Sequence, residues 1–264
     1  MPPDQSSAPP GRGDADAPPR PGGYALWLFD FDNTIAALEP AVDWAASRRE
    51  LEPWLRARGI DDELFIRIPR GNLPLYDALY ARFTVEVRAG RAPEPDAALI
   101  GFVNFPSESR AILEGASALI ERYEMRGVPV ARELPGAIEF LRRLRELGAA
   151  SVIVTSNSSR TVAAWFEAHG AGAIMPPIVG RDSGLALKPS PAMVIHALAR
   201  SATAPRDAIF VGDSEADFRA ASAIGVRFAG IAARPELRAR LIGAGAADSQ
   251  IFASPAMLAR AVKV

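Results

Sequence analysis

The stretch from Tyr24 to Thr34, Tyr-Ala-Leu-Trp-Leu-Phe-Asp-Phe-Asp-Asn-Thr, constrains this chain more than any other. A run of residues without a charge leads straight into two carboxylates, Asp30 and Asp32. Such a run, apolar and without alternation, predicts a strand buried on both faces. Strands of this kind belong to parallel sheets, whose ligands sit beyond the carboxyl ends. Asp30 and Asp32 fall at that end. Positions two apart on an extended chain point the same way, so both acids face one site while Phe31 turns back into the core. Like charges held that close raise each other's cost of ionisation, and a cation or a shared proton relieves it.

The pattern after Thr34 is helical for roughly 95 residues, judged by apolar period. Trp44, Leu51, Trp54 and Leu55 mark one helix. Leu75, Leu79, Phe83 and Val87 mark a second, between Pro74 and Gly90, and Ile112, Ala116, Leu119 and Tyr123 a third. With no convincing strand among them, residues 36–131 read as a helical cap inserted after the first strand. Residues 1–23, rich in Pro, Gly, Ala, Ser and Asp, read as a disordered tail.

From Leu134 onward helices alternate with short β-branched strands: Ala150–Thr155, a weak strand within Ala173–Val179, Ala208–Val211, Phe228–Ala232 and Ile251–Phe252. Lys188-Pro189-Ser190-Pro191 reads as a helix start. Alternation of this kind predicts an α/β fold, a doubly wound parallel sheet of Rossmann-like form, built from residues 24–35 and 132–264.

Composition narrows the chemistry. The absence of cysteine excludes disulfides, thiolate metal sites and a cysteine nucleophile. Two histidines, His169 and His196 on separate predicted helices, are too few for a histidine metal centre. A net charge of -1 leaves no basic excess to suggest nucleic acid. No stretch reads as a signal segment or a membrane span, so a cytoplasmic location is expected. Only Lys188 and Lys263 are lysines among 30 basic residues, and Lys188, beside two prolines before a helix, suggests a need for a compact ammonium rather than a guanidinium.

The residues that follow the strong strands form one set. Asp30 and Asp32 follow the first, Ser156 and Asn157 the second, Asp213 and Asp217 the third, and Lys188 lies between the last two. In a doubly wound sheet these ends converge. Several carboxylates, a hydroxyl and an ammonium fit phosphoryl transfer. A carboxylate can attack phosphorus, Mg²⁺ prefers carboxylate and phosphate oxygens, and a lysine with a hydroxyl can hold the transferring oxygens.

Four motifs in order carry a resemblance to the haloacid dehalogenase-like hydrolase superfamily: Asp30-Phe31-Asp32-Asn33-Thr34, Ser156-Asn157, Lys188-Pro189-Ser190-Pro191, and Gly212-Asp213-Ser214-Glu215-Ala216-Asp217. The helical insert resembles the cap of its phosphoglycolate phosphatase-like branch. The resemblance implies a Mg²⁺-dependent phosphatase acting on a small phosphorylated metabolite through an aspartyl phosphate. It implies Asp30 as nucleophile and metal ligand, and Asp32 as general acid and base with its carbonyl on the metal. It further implies Ser156 and Asn157 as phosphate contacts, Lys188 as countercharge, Asp213 as metal ligand and Asp217 as its support. Thr155 is the alternative to Ser156, since neighbours in a strand face opposite ways. Asn33 stands where the family often has glycine.

A sugar phosphomutase shares every one of these core residues. A haloacid dehalogenase of this family lacks the second acid, so Asp32 argues against it; a phosphonatase is disfavoured on the same ground and by a cap without lysine. A non-enzymatic phosphoacceptor module needs neither a cap nor Asp32. Arg67 and Arg70, flanking Pro69 in a cap loop, are candidates for an anionic substrate group or plain solvated charges.

Overall fold

In the computed structural model, residues 21–89 and 105–264 are described. Of the expected tail only the short 3-10 turn Pro21–Gly23 falls within them.

The apolar run becomes strand β1 (Leu26–Phe29), whose side chains are all buried. It pairs in parallel with β4 (Ala150–Val154) on one side and β6 (Ala208–Gly212) on the other. Beyond them lie β5 (Ile178–Val179) and, on the other edge, β7 (Arg227–Ile231) and β8 (Ile251–Phe252), giving the order β5-β4-β1-β6-β7-β8. Phe29 lies level with Ile153 and Val211, so three strands end side by side. Helices α5 (Ala137–Glu146), α6 (Ser159–Ala168), α7 (Ala192–Arg200), α8 (Glu215–Ser222), α9 (Pro235–Ala244) and α10 (Pro255–Ala261) alternate with these strands. Trp27 and Phe29 both meet the Phe140 ring of α5 edge-on, and Phe31 packs edge-on against Trp165 of α6.

Helices α1 (Trp44–Arg56), α2 (Asp62–Arg67), α3 (Asn72–Ala89) and α4 (Ser107–Gly127) are inserted between two short strands. These strands, β2 (Ala36–Ala37) and β3 (Arg132–Glu133), pair antiparallel. Sequence reading gives this segment no strand, because Ala-Ala has no period of its own and its pairing partner lies far along the chain. It also misses α2, whose N-cap is the Asp61 carboxylate accepting the Leu64 amide. Among the described residues, no helix is long and apolar enough to cross a membrane.

Candidate active site

The strand ends bring Asp30, Asp32, Lys188 and Asp213 to the wall of one cavity of about 660 Å³, together with Thr155, Ser156 and Asn157. Asp30 stays in register with the sheet, its amide donating to the Val211 carbonyl at 2.8 Å. The chain then turns sharply: the Phe31 carbonyl accepts from the amides of Thr34, Ile35 and Ala36. Asn33 takes a φ of 54°, the left-handed region that Asn tolerates better than most residues. The turn carries Asp32 to the same cavity, where its Oδ1 accepts from the amides of Leu38 and Glu39, both at 2.9 Å.

Lys188 sits in the loop before α7. The helix begins only at Ala192, since Pro189 and Pro191 disfavour helical backbone at Lys188 and Ser190, so the expected helix-start position for the lysine is replaced by a turn. Its Nζ lies 2.6 Å from Asp30 Oδ1, 2.6 Å from Asp217 Oδ1 and 3.0 Å from the Val154 carbonyl. An ammonium has three donors, and three oxygens surround it. Burial alone lowers its pKa, but Asp217 and Asp30 more than offset this and hold it above the usual lysine range.

Asp217, fully buried at the start of α8, accepts from the Ser214 amide at 3.0 Å and hydroxyl at 2.7 Å, while the Ser214 hydroxyl accepts the Asp217 amide in a reciprocal cap. Gly212 makes room for this, because a Cβ there would stand 2.6 Å from Asp217 Cβ and Cγ.

Burial, helped by Asp217, pushes the Asp30 carboxyl up to about 6 despite Lys188. Burial pushes Asp32 up to about 7 against its two amide donors. Burial and three neighbouring carboxylates raise Asp213 well above its usual value. Carboxylate oxygens of Asp30, Asp213 and Asp217 lie within 4.8 Å of one another. This donor set is all oxygen, anionic and short of countercharge, which suits a hard divalent cation such as Mg²⁺.

Strand β4 ends at Val154, so strict alternation does not apply to the next two residues, and Thr155 and Ser156 both line the cavity. Thr155 Oγ1 donates to Asn157 Oδ1 at 3.1 Å and accepts the Asn157 amide at 3.2 Å. Asn157 directs its Nδ2 to Glu124 of α4 at 3.0 Å, so that amide group braces the loop from behind. Arg67 and Arg70 are exposed and do not line the cavity.

Sequence reading missed a buried network joining α4 to this loop. Arg181, just after β5, reaches Glu124, Ser117 and the Ser156 carbonyl. Glu124 also accepts from the Ser158 amide and the Thr161 hydroxyl. The available signal was Glu124 itself, an acid spaced seven residues from Ser117 on a face shared with Leu113 and Ile120, all buried. Asn72, Asp77 and Trp44, on the helical wall of the cavity, were also missed.

A sequence model described as haloacid dehalogenase-like hydrolase matches residues 107–231, a span holding β4, Lys188, Asp213 and Asp217. Over that span, a little under half of its length, the chain is similar to the haloacid dehalogenase-like hydrolases. Among similar proteins, a phosphoglycolate phosphatase from Pseudomonas putida is 29% identical over 206 residues, 78% of this chain and 68% of the relative. Phosphoglycolate phosphatase 1 from Pseudomonas aeruginosa is 30% identical over 134 residues, 51% of this chain, and the chain spans only 49% of that relative's length. The crystal structure of a hydrolase from Pseudomonas syringae shares the fold, with a TM-score of 0.58 at 18% identity over 90% of this chain and 97% of that one.

Proposed function

We propose that the protein is a Mg²⁺-dependent phosphatase that hydrolyses a small phosphorylated metabolite through a phosphorylated Asp30. The observation that carries this reading is Asp32. Its carboxyl faces the same cavity as Asp30, is held by two amides, and is raised by burial into the range where it can give and take a proton near neutral pH. The names of the Pseudomonas relatives support the reaction class. In this reading residues 24–35 and 132–264 form the catalytic core, and 36–131 the cap that closes over it.

The chain's own residues supply the steps. An Asp30 oxygen attacks phosphorus, the ester P–O bond breaks, and the leaving alcohol oxygen takes the proton of Asp32. A water then attacks the Asp30-bound phosphoryl group and gives a proton to Asp32; the bond to Asp30 breaks and phosphate leaves. Lys188 keeps Asp30 aligned and ionised through its short contact and is poised to balance charge on the phosphoryl oxygens. The Thr155 hydroxyl and the Ser156–Asn157 turn form the phosphate wall. Mg²⁺, held by Asp30, Asp213 and the Asp32 carbonyl with Asp217 in support, would supply the positive charge that lets a phosphate dianion approach this many acids.

Phosphate release from para-nitrophenyl phosphate and a panel of small phosphomonoesters tests the reading. Activity is expected with Mg²⁺, none after chelation, and none in Asp30→Asn. Asp32→Asn is expected to lose about 10²–10⁴-fold, less on the aryl ester, whose leaving group needs no proton. Full turnover by chelated protein or by Asp30→Asn overturns it, and a phosphorylated isomer in place of free phosphate makes the enzyme a mutase.

A further inference from the structure

The helical wall of the cavity is rich in hydrogen-bond acceptors. Asp77 of α3 is half-buried there, on the same wall as Leu187 and Lys188. Asn72, 2% exposed, donates its Nδ2 to the Trp44 carbonyl at 3.4 Å, and its Oδ1 has no partner. The Trp44 indole N–H is already engaged with the Glu39 carbonyl at 3.1 Å, which leaves the ring as apolar surface. The Glu39 carboxylate lines the same cavity and accepts from Asn33 at 2.9 Å.

Among the described residues lining this cavity, the sole cation is Lys188, which is tied to Asp30 and Asp217 at the phosphate end. A carboxylate on the substrate's organic part would face Asp77 and Glu39, and like charges brought together in a confined site cost several kcal/mol in general. Hydroxyl groups meet the opposite situation. They can donate to Asp77 and to Glu39, while C–H faces lie on Trp44. Acceptors that a bound ligand shuts off from water discriminate against ligands that cannot supply a donor.

We propose that Asp77 and Glu39 select a hydroxyl-rich, uncharged organic group, so that the substrate is the phosphate monoester of a sugar or similar polyol rather than of a carboxylated alcohol. This rests on the phosphatase reading above and narrows it. It departs from the substrate for which the Pseudomonas relatives are named. Arg234 and Arg240 line an adjoining cavity of about 280 Å³ that shares Asn33, Glu39, Asp213 and Ser214, and they offer the route by which an anionic substrate would contradict the proposal.

The test compares kcat/KM of the full chain, with Mg²⁺, on ribose 5-phosphate, glycerol 3-phosphate, phosphoglycolate and para-nitrophenyl phosphate. The polyol esters are expected to exceed phosphoglycolate by about tenfold or more, the effect of roughly 1.4 kcal/mol of discrimination. Asp77→Arg is expected to shrink or invert that ratio, with Asp77→Asn intermediate. Equal or better turnover of phosphoglycolate overturns the proposal, as does an unchanged ratio in an Asp77→Arg protein that melts cooperatively and still hydrolyses the aryl ester. If no ester is hydrolysed, the phosphatase reading fails, and calorimetric titration of the same esters decides the proposal: tighter binding of ribose 5-phosphate than of phosphoglycolate supports it, and the reverse overturns it.

Discussion

Arg181 forks across Glu124, with Nη1 2.8 Å from Oε1 and Nη2 3.0 Å from Oε2, and solvent reaches neither side chain. The pair ties α4 of the inserted helices to the loop that carries Thr155 and Ser156.

Removing one member of a buried pair leaves an uncompensated charge, which typically costs about 3–5 kcal/mol, whereas an apolar replacement of both is often near neutral. Glu124→Leu is therefore expected to destabilise strongly, and Glu124→Leu with Arg181→Met to recover much of the loss. Urea midpoints of both singles and the double provide the check; additive losses would show that the two residues do not act as a pair.

The same pair predicts an acid limb of stability. Burial alone raises the Glu124 pKa, but Arg181 and the donors from Asn157 and Ser158 outweigh it, so the folded value lies below 4.5. A depressed carboxyl contributes stability that is fully present above the unfolded value and lost as pH falls through the folded one. Melting temperatures should fall below pH 4.5 with a steeper slope in the parent chain than in Glu124→Gln.

The acids of the cavity predict the opposite sign. Folded Asp30 and Asp32 have pKa values of about 6 and about 7 against an ordinary 3.8, so their contribution is full below 3.8 and lost as pH rises through the folded values. Metal-free Asp32→Asn should accordingly melt higher than the parent at pH 8. Adding Mg²⁺ should raise the parent's melting temperature, since a ligand of the folded state stabilises it. Thermal scans with and without chelator read both effects, and a lower-melting Asp32→Asn would contradict the assignment.

Lys188→Arg should nearly abolish activity although the charge is kept. Three oxygens surround a compact ammonium within 3.0 Å, and a planar guanidinium cannot match that arrangement. Displacing catalytic groups by about 1 Å can cost on the order of 10²-fold. Exposed Lys263→Arg is the control. Steady-state rates with para-nitrophenyl phosphate suffice, and near-parental activity in Lys188→Arg would remove the lysine from the reaction.

The sheet was legible because its strands are short β-branched or aromatic runs that end in chemistry-bearing residues. Asp30 and Asp213 could be placed from those ends alone, whereas Lys188 stood out only as a rare lysine among prolines. That Thr155 and Ser156 both reach the cavity was not legible, because that requires knowing that β4 stops at Val154. Strand β2 was invisible because two alanines acquire meaning only opposite Arg132 and Glu133. Asn72 and Asp77 face the cavity through the way α3 packs over the strand ends, a tertiary relation that no local period carries.

The ribbon of β2 and β3 is where the chain leaves the sheet and returns to it, and the Leu134 amide bonds the Ile35 carbonyl beside it at 2.8 Å. Asp30 is anchored on the sheet side of this crossing, whereas the amides that orient the Asp32 carboxylate belong to Leu38 and Glu39, on the departing side. In the phosphatase reading, nucleophile and proton donor are thus held from opposite sides of the ribbon. A swing of the helices about the ribbon would pull the donor out of line while leaving the nucleophile in place, so an ajar enzyme could hold its phosphate end intact and still be unable to release the alcohol.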